Sequence, residues 1–446
     1  MKTVVLLMVT ALMMPSVVFA DNGKVSLNEA VHMALERNHL LKAAVYERSA
    51  AEREISISRS RYFPHIYLDE TASVSNAPTR VFMMKLDQGR FSQNDFEIPN
   101  LNHPSAHGDF RTAFTLEQPL LDFSIGSGRE MAEKEFSARD FALERRRQEV
   151  AYKVFSAYLD VQKSKAYVKV AEQAVADARE HERLAKVRNE AGVGLKSDEL
   201  RARTFLSEAE QQSITAKNDR LLAGLRLAQV VGGEAGESLD ISEEVKAPDV
   251  TTGNGELMRV ALQNRPDLKE VEAGMGKAAV GITIARNAYL PTIYGSATYQ
   301  MNDRDIPFGR DNDAWMVGAN LRWELFDGMR RRSETSKAQL MKNAASEYLE
   351  NYRKEIALQV EEGALRREEA GKRLEVARHA LLDAEESVRL ISRRFENSLM
   401  TMVELLDAQT ALNRARAQLV ENESSYAQAT ARLFHAAGIF LKEVYK

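Results

Sequence analysis

Hydrophobic positions along this chain follow two different periods. In four long stretches they recur every 3.5 residues. Val150, Val154, Ala157, Val161, Ser164, Val168, Ala171, Val175 and Ala178 step by four and three in alternation. Leu206 to Leu227, Leu374 to Phe395 and Leu405 to Leu433 keep the same spacing. A seam of that period held over several heptads marks helices wound on one another as coiled coils. Alanine at many seam positions lets the axes approach closely. No Gly or Pro falls between Arg129 and Ala191, and no Pro at all in 120–247 or 308–446. Proline breaks helix interiors because it lacks the N–H and clashes with the preceding turn. The pattern predicts long helices over about 125–190, 197–231, 329–396 and 401–437. Sixty helical residues at ~1.5 Å each reach about 90 Å. Each pair reverses at a short tip, one at 191–198 and the other at 396–401. The glycines of Gly192-Val193-Gly194 suit the positive φ of a reversal, and the run is too short to argue phosphate binding. Ser197 or Asp198 stands where it would cap the returning helix.

Elsewhere the period is two. Trp315, Val317, Ala319, Leu321 and Trp323 share one face, against Gly318, Asn320 and Arg322. Ile293, Ala297, Tyr299 and Met301 oppose Thr292, Tyr294, Ser296, Thr298 and Gln300. Phe110, Thr112, Phe114 and Leu116 oppose Arg111, Thr115 and Glu117. Strands are expected at about 65–75, 109–119, 291–301 and 313–324. Staves with one apolar and one polar face fit a transmembrane barrel, and they fit a two-layer sheet packed on helices equally well. Four strands cannot close a barrel, and an open edge in hydrocarbon leaves backbone groups unpaired at several kcal/mol each. Strands that enter a membrane would therefore require an oligomer, and three chains would supply twelve staves. Ahead of the strands, Ser26-Leu27-Asn28-Glu29 reads as a capping box opening a helix that runs, with a break, to Tyr62 and stops at Pro64.

The chain is also written twice. Ala34–Lys42 matches Ala261–Lys269 and Arg61–Pro64 matches Ala288–Pro291, both at an offset of 227. Leu120-Leu121-Asp122 matches Leu325-Phe326-Asp327 at 205, and Gly232 matches Gly438 at 206. The offset falls by 22, so the first copy carries about that many extra residues, expected as a loop between 76 and 108. The halves are 21–232 and 254–438, with a linker at 233–253 and a tail at 439–446.

Lys2, the apolar run Val4–Met14, and Val18 and Ala20 at the −3 and −1 positions read as a secretory leader, 1–20, cut before Asp21. The chain has 446 residues and no Cys, which excludes disulfides, thiolate metal sites, cysteine catalysis and a cysteine-borne lipid anchor. With 61 basic and 65 acidic residues, net −4, it is no polycation, and no nucleic acid is expected as partner. No segment beyond the leader approaches the ~20 apolar residues of a spanning helix.

With the motifs Ala34–Lys42, Gln118-Pro119-Leu120-Leu121-Asp122, Gly192–Asp198, Ala261–Lys269, Trp323-Glu324-Leu325-Phe326-Asp327 and Val403–Gln409 in this order, the sequence resembles the TolC family of outer-membrane efflux and export channels. The resemblance covers nearly the whole chain after the leader. It implies a mainly α fold with a membrane β-barrel part: a homotrimer with one twelve-stranded barrel in outer-membrane lipid above a periplasmic coiled-coil tunnel. It further implies a passive exit duct rather than an enzyme, with no cofactor. The helical tips (Gly192, Val193, Gly194, Leu195, Ser398 and Leu399) would dock a periplasmic adaptor that links the duct to an inner-membrane pump of RND or ABC type. The family's acidic entrance residues match Glu404 and Asp407, three apart and so on one helix face. In a trimer they would set six carboxylates around the narrowest point, favouring cations and binding multivalent ones that plug the pore. Taken without the resemblance, the same pair reads as two solvated acids beside a heptad seam. Some members close the entrance with an aromatic hydroxyl and an arginine, and Phe395 and Met400 stand at those positions here. Neither residue makes that bond, so a closed state needs another tie, for which Asp198 remains an acceptor. Ser398 replaces the usual glycine, which suggests a tighter or differently capped second turn.

Other chemistry is sparse. The eight histidines form no ligand spacing, and His103 and His107 read as surface-loop residues flanking Pro104. Met83-Met84 and Met400/Met402 are the only hint of Cu(I) chemistry. Arg145–Arg147 and Arg330–Arg332, roughly matched across the repeat, suggest a solvated helix start or a basic collar. The function implied is the exit channel of a tripartite efflux system for drugs and small toxic compounds. The alternatives are the exit duct of a type I protein-secretion system and, from another class, a periplasmic coiled-coil scaffold.

Overall fold

Asn38 shows how the local sequence breaks the first helix. Helix α1 (Leu27–Arg37) opens on the Ser26–Glu29 capping box and ends at Asn38, whose backbone turns extended at φ −60°, ψ 121°. The Asn38 side chain then accepts from Leu40 N and Leu41 N, at 3.0 and 3.3 Å, and so starts α2 (His39–Ser60). The second half makes the same break by another route. Pro266 forces Arg265 into the extended region (φ −62°, ψ 121°) and supplies the first residue of the next helix.

The computed structural model describes residues 24–234, 236–250 and 252–444, and the expected leader lies outside the described residues. The remaining elements are β1 (Lys24–Val25), β2 (His65–Ser75), α3 (Pro78–Asp87), a 3-10 turn (Gln93–Phe96), α4 (Ile98–Asn102), β3 (His107–Leu121), α5 (Phe123–Glu190), α6 (Lys196–Val231), β4 (Asp240–Ile241), α7 (Asn254–Asn264), α8 (Pro266–Asn287), β5 (Thr292–Asp303), β6 (Asn312–Arg322), α9 (Arg330–Glu396), α10 (Met402–Ala436) and α11 (Phe440–Val444). No helix among the described residues is long and apolar enough to cross a membrane.

The chain falls into two compact units that cut across the two sequence copies. One comprises residues up to Ala43, Arg145–Arg265 and Glu355–Lys446. Its core gathers Val150, Val154, Phe155, Tyr158 and Val161 of α5 with Leu227 and Val231 of α6, Ala431 and Phe434 of α10, and Phe440 of α11. All nine seam residues from Val150 to Ala178 are buried, as a 3.5-residue seam requires. The two-stranded parallel ribbon β1–β4 closes this core, and the Tyr158 hydroxyl donates to Glu243 O at 3.0 Å beside it. Gly232 and Gly438 end α6 and α10 with φ of +83° and +71°. Each lies against the residue that ends a short helix of its own copy, Arg37 or Arg265, within about 3 Å of where a Cβ would stand.

The other unit, Ala44–Glu144 with Pro266–Lys354, holds a four-stranded antiparallel sheet in the order β2-β3-β5-β6. The register pairs Leu68 with Phe114, Phe114 with Tyr299, and Tyr299 with Trp315, so the apolar residues share one face. The other face is polar, with Asp69, Thr115 and Thr298 on it. Edges β2 and β6 have no further partner strand among the described residues.

Three expectations fail, two of them wholly within this unit. The extra residues between β2 and β3 are not a loop, because α3, the 3-10 turn and α4 occupy them. His107 is not on a surface loop: it opens β3, is buried, and its Nε2 lies 2.8 Å from Gln88 Oε1. The two arginine runs are not equivalent. Arg330–Arg332 begin α9, where Arg331 is buried in an ion pair with Asp327 at 2.8 Å, whereas Arg145–Arg147 lie well inside α5.

Candidate functional site

Both hairpin tips lie in the first-described unit. At the first, α5 ends and Gly192 takes the left-handed conformation at φ +76°. Val193 N and Gly194 N then donate to Arg188 O at 3.0 and 2.9 Å, satisfying a carbonyl the helix end would orphan. At the second tip Ser398 sits at φ +61°, and Leu399 N donates to Arg394 O at 2.9 Å. The second turn is therefore not tighter. It closes with the same six-residue bond, and serine accepts the left-handed strain that glycine avoids.

The reason lies on the other hairpin. Arg188, half-buried at the end of α5, donates from Nη1 to Phe395 O at 3.0 Å and to Glu396 O at 3.3 Å. Its Nη2 donates to Ser398 Oγ at 2.7 Å. The guanidinium also lies 4.9 Å from the centre of the Phe395 ring. One side chain thus satisfies the last carbonyls of α9 and holds a hydroxyl that glycine would lack. The sequence offered a weak signal for it, a basic residue in the last turn of a helix.

Beneath the tips, Phe395, Met402 and Leu405 pack with Ala185 and Ala202, with Met400 alongside. Phe395 and Met400 therefore act as apolar packing between the hairpins. Met402 is buried, so Met400 and Met402 are no sulfur pair open to an ion. Met84 is likewise buried and Met83 exposed, on different sides of α3. No group of three or more His, Asp or Glu side chains placed to hold a metal ion occurs among the described residues.

The returning helices start differently. Neither Ser197 nor Asp198 caps α6: the N-cap is Leu195, with no side-chain bond, and Ser197 and Asp198 fall within the first turn. Glu199 carries the polar contacts there, accepting from Asn189 Nδ2 at 2.7 Å and Lys196 Nζ at 2.6 Å. Helix α10 opens on a full capping box, in which Glu404 Oε2 accepts from Thr401 N and Oγ1, both at 2.8 Å. Those two bonds, the backbone one first, hold the Glu404 carboxyl below its usual range. Leu405 turns inward, while Glu404 and Asp407 both stay exposed. Asp407 borders a groove between α6 and α10 lined also by Arg201, Phe205 and Glu208. Further along α10 a polar layer that spacing did not reveal joins it to α5. Gln409 donates to Asp177 Oδ2 at 2.9 Å, Arg416 pairs with that oxygen at 2.9 Å, and His181 Nε2 lies 3.3 Å from Gln409 Oε1.

The family model for outer membrane efflux proteins matches residues 30–233 and 257–439. The chain is similar to the alkaline protease secretion protein AprF of Pseudomonas aeruginosa, 21% identical over 433 residues, covering 94% of this chain and 85% of AprF. It is also similar to the probable efflux pump outer membrane protein TtgC of Pseudomonas putida, 22% identical over 420 residues, covering 93% of this chain and 83% of TtgC. Among solved structures, the Campylobacter jejuni CmeC outer membrane channel superposes with a TM-score of 0.78 at 16% identity, over 93% of this chain and 86% of CmeC. The fold and the family are those of channel proteins. The chain belongs to the outer membrane efflux protein family, as a channel chain of the outer membrane that extends into the periplasm.

Proposed function

We propose that three copies of this chain form the passive exit duct of a tripartite efflux system. The observation that carries this reading is the sheet. It has one apolar face, with Ile66 71% and Trp315 77% exposed in the single chain, and two unpaired edges, β2 and β6. Pairing β6 of one copy with β2 of the next satisfies every edge and turns the apolar faces to lipid. Leu358, Leu365 and Leu390 of α9 are likewise exposed in the single chain and suit burial against neighbouring copies. The tips Gly192–Leu195 and Ser398–Leu399 would meet a periplasmic adaptor, with an inner-membrane pump of RND or ABC type supplying the energy. Drugs and small toxic compounds would be the cargo. Glu404 and Asp407 would form the acidic ring at the entrance, six carboxylates in the trimer.

The test is single-channel recording of the purified protein in planar bilayers, with fractionation of cells alongside. A trimer in the outer membrane that conducts supports the duct. Recovery from the soluble periplasm overturns it and favours a scaffold. A second reading, the exit duct of a type I protein-secretion system, draws on the similarity to AprF, a protein named for alkaline protease secretion. A deletion strain separates the two. Greater sensitivity to small toxic compounds supports efflux, and loss of a secreted protein from the medium supports secretion.

A further inference from the structure

The first copy differs from the second in the connection at the far end of its strands, 76–106 against 304–311. The long helices leave from the opposite strand ends, so both connections lie at the end of the sheet away from the helices. The insert is folded and tied down. On α3 and at its C-cap, Val81, Met84 and Gln88 are buried, at 2, 9 and 1% exposure, and they share one face of the helix by their spacing. Gln88 uses its whole amide. Its Nε2 donates to Gly108 O at 2.9 Å and Asp109 Oδ1 at 2.8 Å, while Oε1 meets His107 Nε2 at 2.8 Å. Asn302 Nδ2 donates to Asp109 Oδ1 at 3.1 Å, and Asn312 Nδ2 donates to Asp87 O at 3.1 Å. Arg90 clamps Asp311 of the shorter connection with two bonds, at 2.6 and 3.1 Å. Phe82, Phe91 and Phe96 stack edge to face at 4.6 and 5.0 Å.

The register decides which side this helix covers. His107, Asp109, Asn302 and Asn312 all belong to the polar face of the sheet. In a barrel whose apolar face meets lipid, that face lines the bore. Twelve strands about 4.8 Å apart, tilted about 40°, enclose a bore of roughly 12 Å backbone radius. A helix about 10 Å across lying on that wall leaves only a few ångströms to the axis. Met83 and Leu86, 52 and 42% exposed, lie off the buried face of α3.

We propose that the insert is a second, outward constriction: α3 of each copy lies inside the barrel mouth, and Met83 and Leu86 line an apolar throat there. This rests on the barrel reading above. An apolar throat resists ions by dewetting and passes apolar solutes more readily, so the outer mouth would select cargo as well as release it.

The chain has no cysteine, so single cysteines can be placed without background. Met83→Cys, assembled in planar bilayers, is treated from the outer side with a charged methanethiosulfonate. The expected result is a change in conductance of at least two-fold, with none for Val317→Cys on the lipid face. Replacing residues 78–103 by a short Gly-Ser turn should raise conductance at least two-fold. Conductance unchanged on modification of Met83→Cys overturns the throat, whatever the shortened variant does. A protein absent from the outer membrane overturns the barrel reading instead, which keeps the two failures apart.

Discussion

Arg188→Ala removes the tie between the two hairpin tips. Three hydrogen bonds go, to Phe395 O, Glu396 O and Ser398 Oγ, together with the cation–π contact to Phe395. Hydrogen bonds from a charged group are worth about 1.5–3 kcal/mol each when well buried. This guanidinium is half-exposed and its freed carbonyls can meet water, so about 0.5 kcal/mol each is the better figure. The ring contact adds ~0.5 kcal/mol. The sum, about 2 kcal/mol, corresponds to a roughly 30-fold rise in local opening of the second tip. The amide of Leu399 reports it directly, because its N–H is bonded to Arg394 O at 2.9 Å across the turn. Hydrogen exchange at Leu399 should therefore quicken about 30-fold in Arg188→Ala while the α5 core is unchanged. Arg188→Lys keeps the charge but not the fork, and should recover less than half of the effect. A double-mutant cycle with Ser398→Ala should show a coupling of ~0.5–1 kcal/mol. Exchange at Leu399 that changes less than two-fold, or single effects that simply add, would refute the tie.

Three further outcomes are expected. Glu404→Gln with Asp407→Asn should lower cation selectivity and weaken block by trivalent cations, with the helix start intact because Gln still serves a capping box; unchanged selectivity and block would remove the two residues from the constriction. The Thr401 bonds depress the Glu404 carboxyl from its ordinary value of 4.5, so the folded protein favours the charged form. Its negative charge, and any stability tied to it, is present above that value and lost only as pH falls through the lowered one. Reversal potentials titrated from neutral to acid should then show the Glu404-dependent part of the cation preference fading below 4.5, and fading at higher pH in Thr401→Val. Tyr158, fully buried, has its hydroxyl pushed up to about 12 from 10.0, mainly by burial. A raised value for an acid that is neutral when protonated gives full stability below 10.0 and loss as pH climbs toward 12, on the order of 2–3 kcal/mol. Alkaline denaturation should show that slope, and Tyr158→Phe should lack it while costing about 1 kcal/mol at neutral pH.

Periodicity carried most of the architecture. The 3.5-residue seam named the buried face of α5 residue by residue, and the two-residue alternation sorted the strand faces as the register later paired them. Such patterns are legible because burial repeats at the period of the backbone itself. What escaped were contacts without a period. Arg188 meets Ser398 across 210 positions and Asp177 meets Arg416 across 239, and no spacing rule predicts such a meeting. The cap of α6 is not legible because two good capping residues, Ser197 and Asp198, stand two and three positions past the true N-cap, Leu195. The insert reads as a loop in sequence because its polar and proline-marked stretches hide two short helices.

The sequence alone therefore determined the duplication, the order of the long helices and the four sheet strands, and the two faces of three of those strands, because these depend on local chain geometry and on which side chains avoid water. Only the tertiary structure decided that Ser398 could replace a glycine, since the compensating hydroxyl bond comes from the other hairpin. It also decided that the extra residues of the first copy fold back over the polar face of the sheet. That choice rests on Gln88 finding His107 and Asp109, a pairing of buried polar groups whose partners become neighbours only once the strands are in register.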